Sequence, residues 1–132
     1  MADDVRDRYD PLESIPGWFW DRVAAAQADP ELFDGLADNE LIDFADEIHG
    51  LKTYFAHDPF HPPDDVYVSE DTLDLAGAWV ISQGKAFFRG VWQEPRRFWA
   101  IIVGHDYLRG HNFEFAVDRV WDQRHGTDIP TV

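Results

Sequence analysis

The stretch DNELIDFADEIHGLKTYFA, residues 38–56, does most to limit the folds open to this chain. Leu41, Phe44, Ala45, Ile48, Leu51, Tyr54 and Phe55 recur at steps of three and four, the repeat of a helix that buries one side, whereas a half-buried strand alternates every second residue. Asp38, Asp43, Asp46, Glu47 and His49 fall on the other side, as an acidic stripe toward water. Asp38 or Asn39 is placed to cap the start, and early carboxylates suit the positive end of the helix dipole.

The same period recurs along the chain. A helix is predicted from about Pro16 to Ala28, with Phe19, Trp20, Val23, Ala24 and Gln27 on one side and Asp29-Pro30 as its stop; a short helical turn then begins at Pro30. Ser69 reads as an N-cap, followed by Glu70 and Asp71 in a first turn and by apolar Leu73, Ala76, Trp79 and Val80. Gly84 divides that helix from a piece carrying Phe87, Phe88, Val91 and Trp92. Pro95 suits another helix start, and a last helix is capped by Asn112 and stopped by Gly126, with Phe113, Ala116, Val117, Val120 and Trp121 inward. Val66 to Val68 offers at most an extended bridge, and no pair of strand runs is convincing. The expected fold is all-α, a single domain over residues 1–132 built as an irregular bundle of five or six helices, with 1–15 and 127–132 as peripheral tails. Trp20, Phe44, Ile48, Trp79, Val80, Val117 and Trp121 are expected to be buried together.

Composition supports a packed interior: 45% of residues are hydrophobic and 15% aromatic, enough for a core in 132 residues and too many for a disordered chain. There is no cysteine, which removes disulfides, thiolate metal sites and cysteine nucleophiles. The charged beginning MADDVRDRYD is not followed by an apolar stretch, so neither a signal peptide nor a membrane span is expected, and the cytoplasm is the default compartment. The net charge of −15 is uneven: residues 1–74 hold 20 acidic and 4 basic side chains, residues 75–132 hold 6 and 7. An anionic first half repels phosphate backbones and anionic lipid and attracts basic proteins.

GWFWDRV, DNELIDFADEIHGL and above all SEDTLDLAGAWVISQGKAFFRGVWQEPRRF resemble a bacterial family of short helical proteins known only as a domain of unknown function. Phe19 and Trp20 match its N-terminal Phe-Trp. Ser69, Glu70, Asp71, Trp79, Val80, Ile81, Gln83, Gly84 and Lys85 match its Ser-Asp-Asp and Trp-Leu-Ile-x-Gln-Gly-Lys/Arg elements, and Glu94-Pro95 stands where the family has Asp-Pro. The similarity covers about residues 17 to 98, and the family's Gly-Gly-Cys ahead of Ser-Asp-Asp is replaced here by HPPDDVYV. The resemblance implies an α-helical fold and carries over no activity.

Several constellations invite a chemical reading. HDPFHPPDD gathers His57, His61, Asp64 and Asp65, a possible zinc set, but Pro59 between the histidines denies them one helical face, and the stretch reads as a proline-stiffened connector without metal. Ser69, Asp71, Trp79 and Gln83 are candidates for lining a pocket, with Glu70 and Asp74 beside them; His105-Asp106 with His111 is a second acid/base candidate. No nucleophile elbow, phosphate-cradling loop or His-Glu-x-x-His helix accompanies them. Lys85, Arg89, Arg96 and Arg97 are expected to pair with the acidic half internally.

The preferred expectation is a non-enzymatic, cofactor-free interaction protein. It would bind a basic protein, in the manner of a small acidic immunity or antitoxin protein, through Asp34, Asp38, Asp43, Asp46 and Glu47, without nucleic acid or membrane as direct partner. The alternative is a small enzyme or ligand-binding domain with a pocket around Ser69, Asp71 and Trp79. The oligomeric state is open.

Overall fold

The structure, a computed structural model, describes residues 4–63 and 67–130. Among the described residues seven α-helices follow one another: α1 (Pro11–Ser14), α2 (Gly17–Ala28), α3 (Asp38–Lys52), α4 (Glu70–Ser82), α5 (Lys85–Gln93), α6 (Pro95–Gly104) and α7 (Phe113–His125). 3₁₀ turns at Val5–Asp7, Pro30–Gly35, Thr53–Ala56 and Asp106–Leu108 fill the connections. No strand occurs among the described residues, and none of their helices is long and apolar enough to cross a membrane. The architecture is an all-α irregular bundle, six helices of nine residues or more with the single turn of α1 added.

α4 is its centre, packed by α3, α5, α6 and α7. That position explains its composition. Ala76, Gly77 and Ala78 are buried where neighbouring backbones come close, and a Cβ on Gly77 would stand 3.2 Å from the Lys52 Cβ and from the Phe55 ring. Ser69 caps α4 through a 3.2 Å hydrogen bond from the Thr72 N–H, and Gly84 at φ 105° turns the chain into α5, a conformation available to glycine without a Cβ clash. Asn112 caps α7 through the Glu114 and Phe115 N–H groups, and Gly126 ends it in the left-handed region.

Eight of the ten phenylalanines are buried and largely interlock. Phe19 stacks on Phe44 at 5.0 Å, Phe44 meets Phe33, and Phe33 meets Phe113; on the far side of α4 Phe55 stacks on Phe98 at 4.6 Å and meets Phe60 and Phe88. Aromatic pairs of this geometry add specificity to the burial itself. Buried Ser82 ties the halves together: its hydroxyl donates to the Ala78 carbonyl at 2.8 Å and accepts the Phe113 N–H at 2.9 Å, while its own carbonyl accepts from Gln27 Nε2.

Several expectations need correction. Trp79 is only half-buried and lies on the flank of α4 that also carries Thr72 and Leu75, because the crowded sides of this helix admit small residues; Trp20, Phe44, Ile48, Val80, Val117 and Trp121 are buried as expected. On α2, Ala26 is buried while Ala24 and Gln27 are exposed. α3 is capped at Ala37, whose N–H is accepted by Glu40, so neither Asp38 nor Asn39 is the cap. The N-terminal segment is not peripheral: Val5 is 1% exposed, its N–H bonds the Asp58 carbonyl, and Pro11 is buried. Ile129 likewise packs against the core. Val66, of the expected extended bridge, lies outside the described residues.

Candidate functional site

The acidic residues assigned to a partner surface divide into two groups. Asp34 is exposed in the turn before α3, and its carbonyl accepts from Arg124 at 2.9 Å. Asp38 opens α3 toward α7, where Arg124 approaches its carboxylate at 3.0 Å and His125 at 2.8 Å; the Arg124 hydrogen bond holds this carboxyl below the usual range, with His125 assisting. Asp43, Asp46 and Glu47 instead occupy the solvent side of α3, Asp43 exposed and the other two half-buried. Burial pushes the Glu47 carboxyl up, and the charges of Asp46 and Asp43 push it further, so negative potential accumulates at this point.

Beside that face, between α3 and α7, lies a groove with a cavity of about 430 Å³. Lys52 forms its floor. Its side chain is 8% exposed, and the ammonium is 2.8 Å from Glu114 and 3.9 Å from Asp74, a pairing that a charge withdrawn from water requires. Glu114, Asp118 and Asp122 succeed one another at four-residue steps and therefore share one side of α7. Asp128, from the segment after α7, and His49 and Arg119 complete the walls. Burial raises the Asp118 carboxyl, Glu114 and Asp128 add to the rise, and Lys52 partly opposes it. Such a recess favours a cationic group, which would relieve the mutual repulsion of its carboxylates.

Ser69, Asp71, Trp79 and Gln83 are not gathered around one space. The Ser69 hydroxyl is occupied as a cap and by Thr72 Oγ1 at 3.0 Å, and Asp71 is exposed in the first turn of α4. Trp79 Nε1 donates to the Arg109 carbonyl while its ring meets the edge of Phe87. Gln83 donates to the Trp79 carbonyl at 2.9 Å. The cavity beside Ser69 is bounded by Tyr67, Thr72, Ile102, Val103 and Tyr107 among others, and neither Asp71 nor Trp79 lines it. His105 belongs to that cavity and His111 to its neighbours.

His57 and His61 are both exposed, and His61 Nδ1 lies 2.9 Å from the Pro62 carbonyl. Asp64 and Asp65 lie outside the described residues. Among the described residues no three His, Asp or Glu side chains are assembled as a metal-binding set. The connector anchors itself through Phe60, which is buried against Phe55, Trp92 and Phe98 and whose carbonyl accepts from Trp99 Nε1 at 3.0 Å. Of the expected basic cluster, Arg97 stacks over the Phe87 ring at 5.2 Å; the acidic half is joined to the rest through Lys52 with Glu114 and through Arg124 with Asp38.

The groove was hidden from the sequence reading, although two signals for it exist. Lys52 interrupts the apolar stripe of α3 four residues after Ile48, and a charge at such a position implies a buried partner. The four-residue spacing of Glu114, Asp118 and Asp122 marks one acidic line on α7. No protein-family model matches the chain, and no curated protein or solved structure matches it.

Proposed function

We propose that the chain is a non-enzymatic interaction protein, immunity- or antitoxin-like in kind, which binds a basic protein in the cytoplasm through the acidic surface of α3. The observation carrying this reading is the concentration of Asp43, Asp46 and Glu47 on the solvent side of one helix, where the charges of Asp46 and Asp43 add to the rise that burial gives the Glu47 carboxyl. The groove alongside supplies a recess where a lysine or arginine of the partner meets Asp118 and Asp122. Nucleic acid and anionic membrane are disfavoured as direct partners by the same charge.

The reading is tested by capturing partners from a native lysate at low ionic strength and measuring association kinetics with the purified partner. Replacing Asp43, Asp46 and Glu47 together by Lys is expected to lower the association rate about tenfold or more, as is high salt, with dissociation changing less. A partner whose association ignores both salt and these reversals would refute the assignment. The alternative, a pocket at Ser69, Asp71 and Trp79, draws no support from their arrangement.

A further inference from the structure

The stretch KAFFRGVWQEPRR, residues 85–97, carries four of the chain's 11 lysines and arginines and a single carboxylate, Glu94, although the chain as a whole has a net charge of −15. Lys85, Arg89, Arg96 and Arg97 are all exposed. Four cations on other elements meet carboxylates: Arg6 holds Asp4, Arg22 holds Glu40, Lys52 holds Glu114 and Arg124 holds Asp38. None of the four in 85–97 makes an ion pair among the described residues. Lys85 and Arg89 stand four residues apart on one side of α5, a like-charge spacing that weakens a helix when no anion answers it.

A third charge is seated on the same helix. The Arg97 guanidinium, from the first turn of α6, lies over the Phe87 ring at 5.2 Å and against Gly90, where a Cβ would overlap its Nη1. Gly90 is inside α5 and its φ is not positive, so neither a cap nor a turn accounts for a glycine that weakens the helix relative to alanine. Room for the guanidinium does account for it. Arg97 is thereby held on a seat of ring and backbone beside Arg89, its planar fork preorganised for an oxyanion and answered by no carboxylate. Phe87 is covered by Arg97 and by Trp79, which leaves no ring at this place for base stacking. A long polyanion would also run onto the acidic half of the chain. A short run of carboxylates meets neither obstacle.

We propose that Lys85, Arg89 and Arg97 form a docking surface on α5 for an acidic segment of a partner protein, its carboxylates bound along Lys85 and Arg89 and by the seated Arg97. The proposal is independent of the role assigned to α3, which receives charge of the opposite sign. It is tested on the full chain with a labelled octaglutamate peptide, by anisotropy titration at physiological ionic strength, where a Debye length of about 8 Å restricts the peptide to nearby charges. Saturable binding is expected, and its loss in about 1 M salt, where that length falls to about 3 Å. Lys85→Glu with Arg89→Glu should weaken it about tenfold or more. Gly90→Ala is the sharper variant: it removes no charge and suits the helix, yet its methyl displaces the guanidinium, so binding should fall about tenfold with no drop in melting temperature. The absence of saturable binding up to about 1 mM peptide overturns the proposal, as does binding that survives high salt, the double reversal or Gly90→Ala. Equal or tighter binding of a single-stranded oligonucleotide of the same length would overturn it in favour of phosphate. Self-association of the wild-type chain that the double reversal abolishes would overturn it in favour of a second copy's acidic helix.

Discussion

The solvent side of α3 and the exposed apolar side chains Tyr67, Val103, Leu108 and Phe115 offer a partner different things. The first is a run of carboxylates with little apolar area, able to act at a distance and sensitive to salt because exposed charges are screened within about 8 Å at physiological ionic strength. The second holds four exposed apolar side chains, which act only on contact. Arg119 lines both the groove beside α3 and the cavity beside Phe115, so the two regions adjoin on α7. One short chain can thus keep steering and area on separate surfaces, and a substitution in one should leave the other unaltered.

The sharpest way to break that separation is to damage what both regions stand on. Phe55 is fully buried, stacked on Phe98 and edge-on to Phe60 and Phe88, so Phe55→Ala should cost about 3 to 5 kcal/mol, the range for emptying a large aromatic site. Denaturant unfolding measures this, and both surfaces should be weakened together. If only one is lost, the two rest on separable parts of the bundle.

Next in size is the tie between α3 and α7. Glu114→Gln removes the carboxylate nearest the Lys52 ammonium and leaves Asp74 at 3.9 Å, so a loss of about 3 kcal/mol is expected, at the low end for a broken buried pair because Asp74 remains. Adding Lys52→Met should recover most of it, since the stem is kept and no charge is left buried. Recovery distinguishes a charge effect from a packing effect; a double variant as unstable as Glu114→Gln alone would assign the loss to packing.

Trp79 packs against the core from outside, half-buried. Trp79→Ala should cost about 1 to 2 kcal/mol, one hydrogen bond and part of a ring, instead of the larger loss its sequence position suggests. A measured loss above about 3 kcal/mol would mean that the ring is packed as tightly as a core side chain.

These residues show which parts of the fold were legible. Ser69, Gly84, Asn112 and Gly126 were readable because a cap or a left-handed turn is a local event that its own residue type announces. Trp79 was misread because one apolar stripe describes a helix with one buried side, whereas α4 is packed by four neighbours and puts alanine and glycine at its closest approaches. Val5 and Pro11 were misread as tail because single apolar anchors in a charged segment have no period. The groove depends on a pairing across 62 residues, from Lys52 to Glu114, and no local pattern reports a partner that distant.

The smallest expected effect is also the most specific to the groove. The Asp118 carboxyl is raised above its ordinary value of 3.8, first by burial and then by Glu114 and Asp128. A carboxyl raised by folding is penalised wherever it is charged in both states, and it adds stability as pH falls through its folded value toward 3.8, below which it is protonated in both. Asp118→Asn lacks the charge at every pH. It should therefore be the more stable form at neutral pH, by only about 0.3 kcal/mol because solvent reaches this side chain and screens its neighbours. The difference should fade as the solution is acidified through the folded value. Paired urea melts from pH 7 to pH 3 read this directly. If the variant is less stable at pH 7, Asp118 is held by Lys52 more than it is opposed by Glu114 and Asp128, and the groove is not short of positive charge. An offset constant with pH would instead make the effect one of packing, and the recess would then lose its claim on a partner's cationic side chain while the solvent side of α3 kept its own.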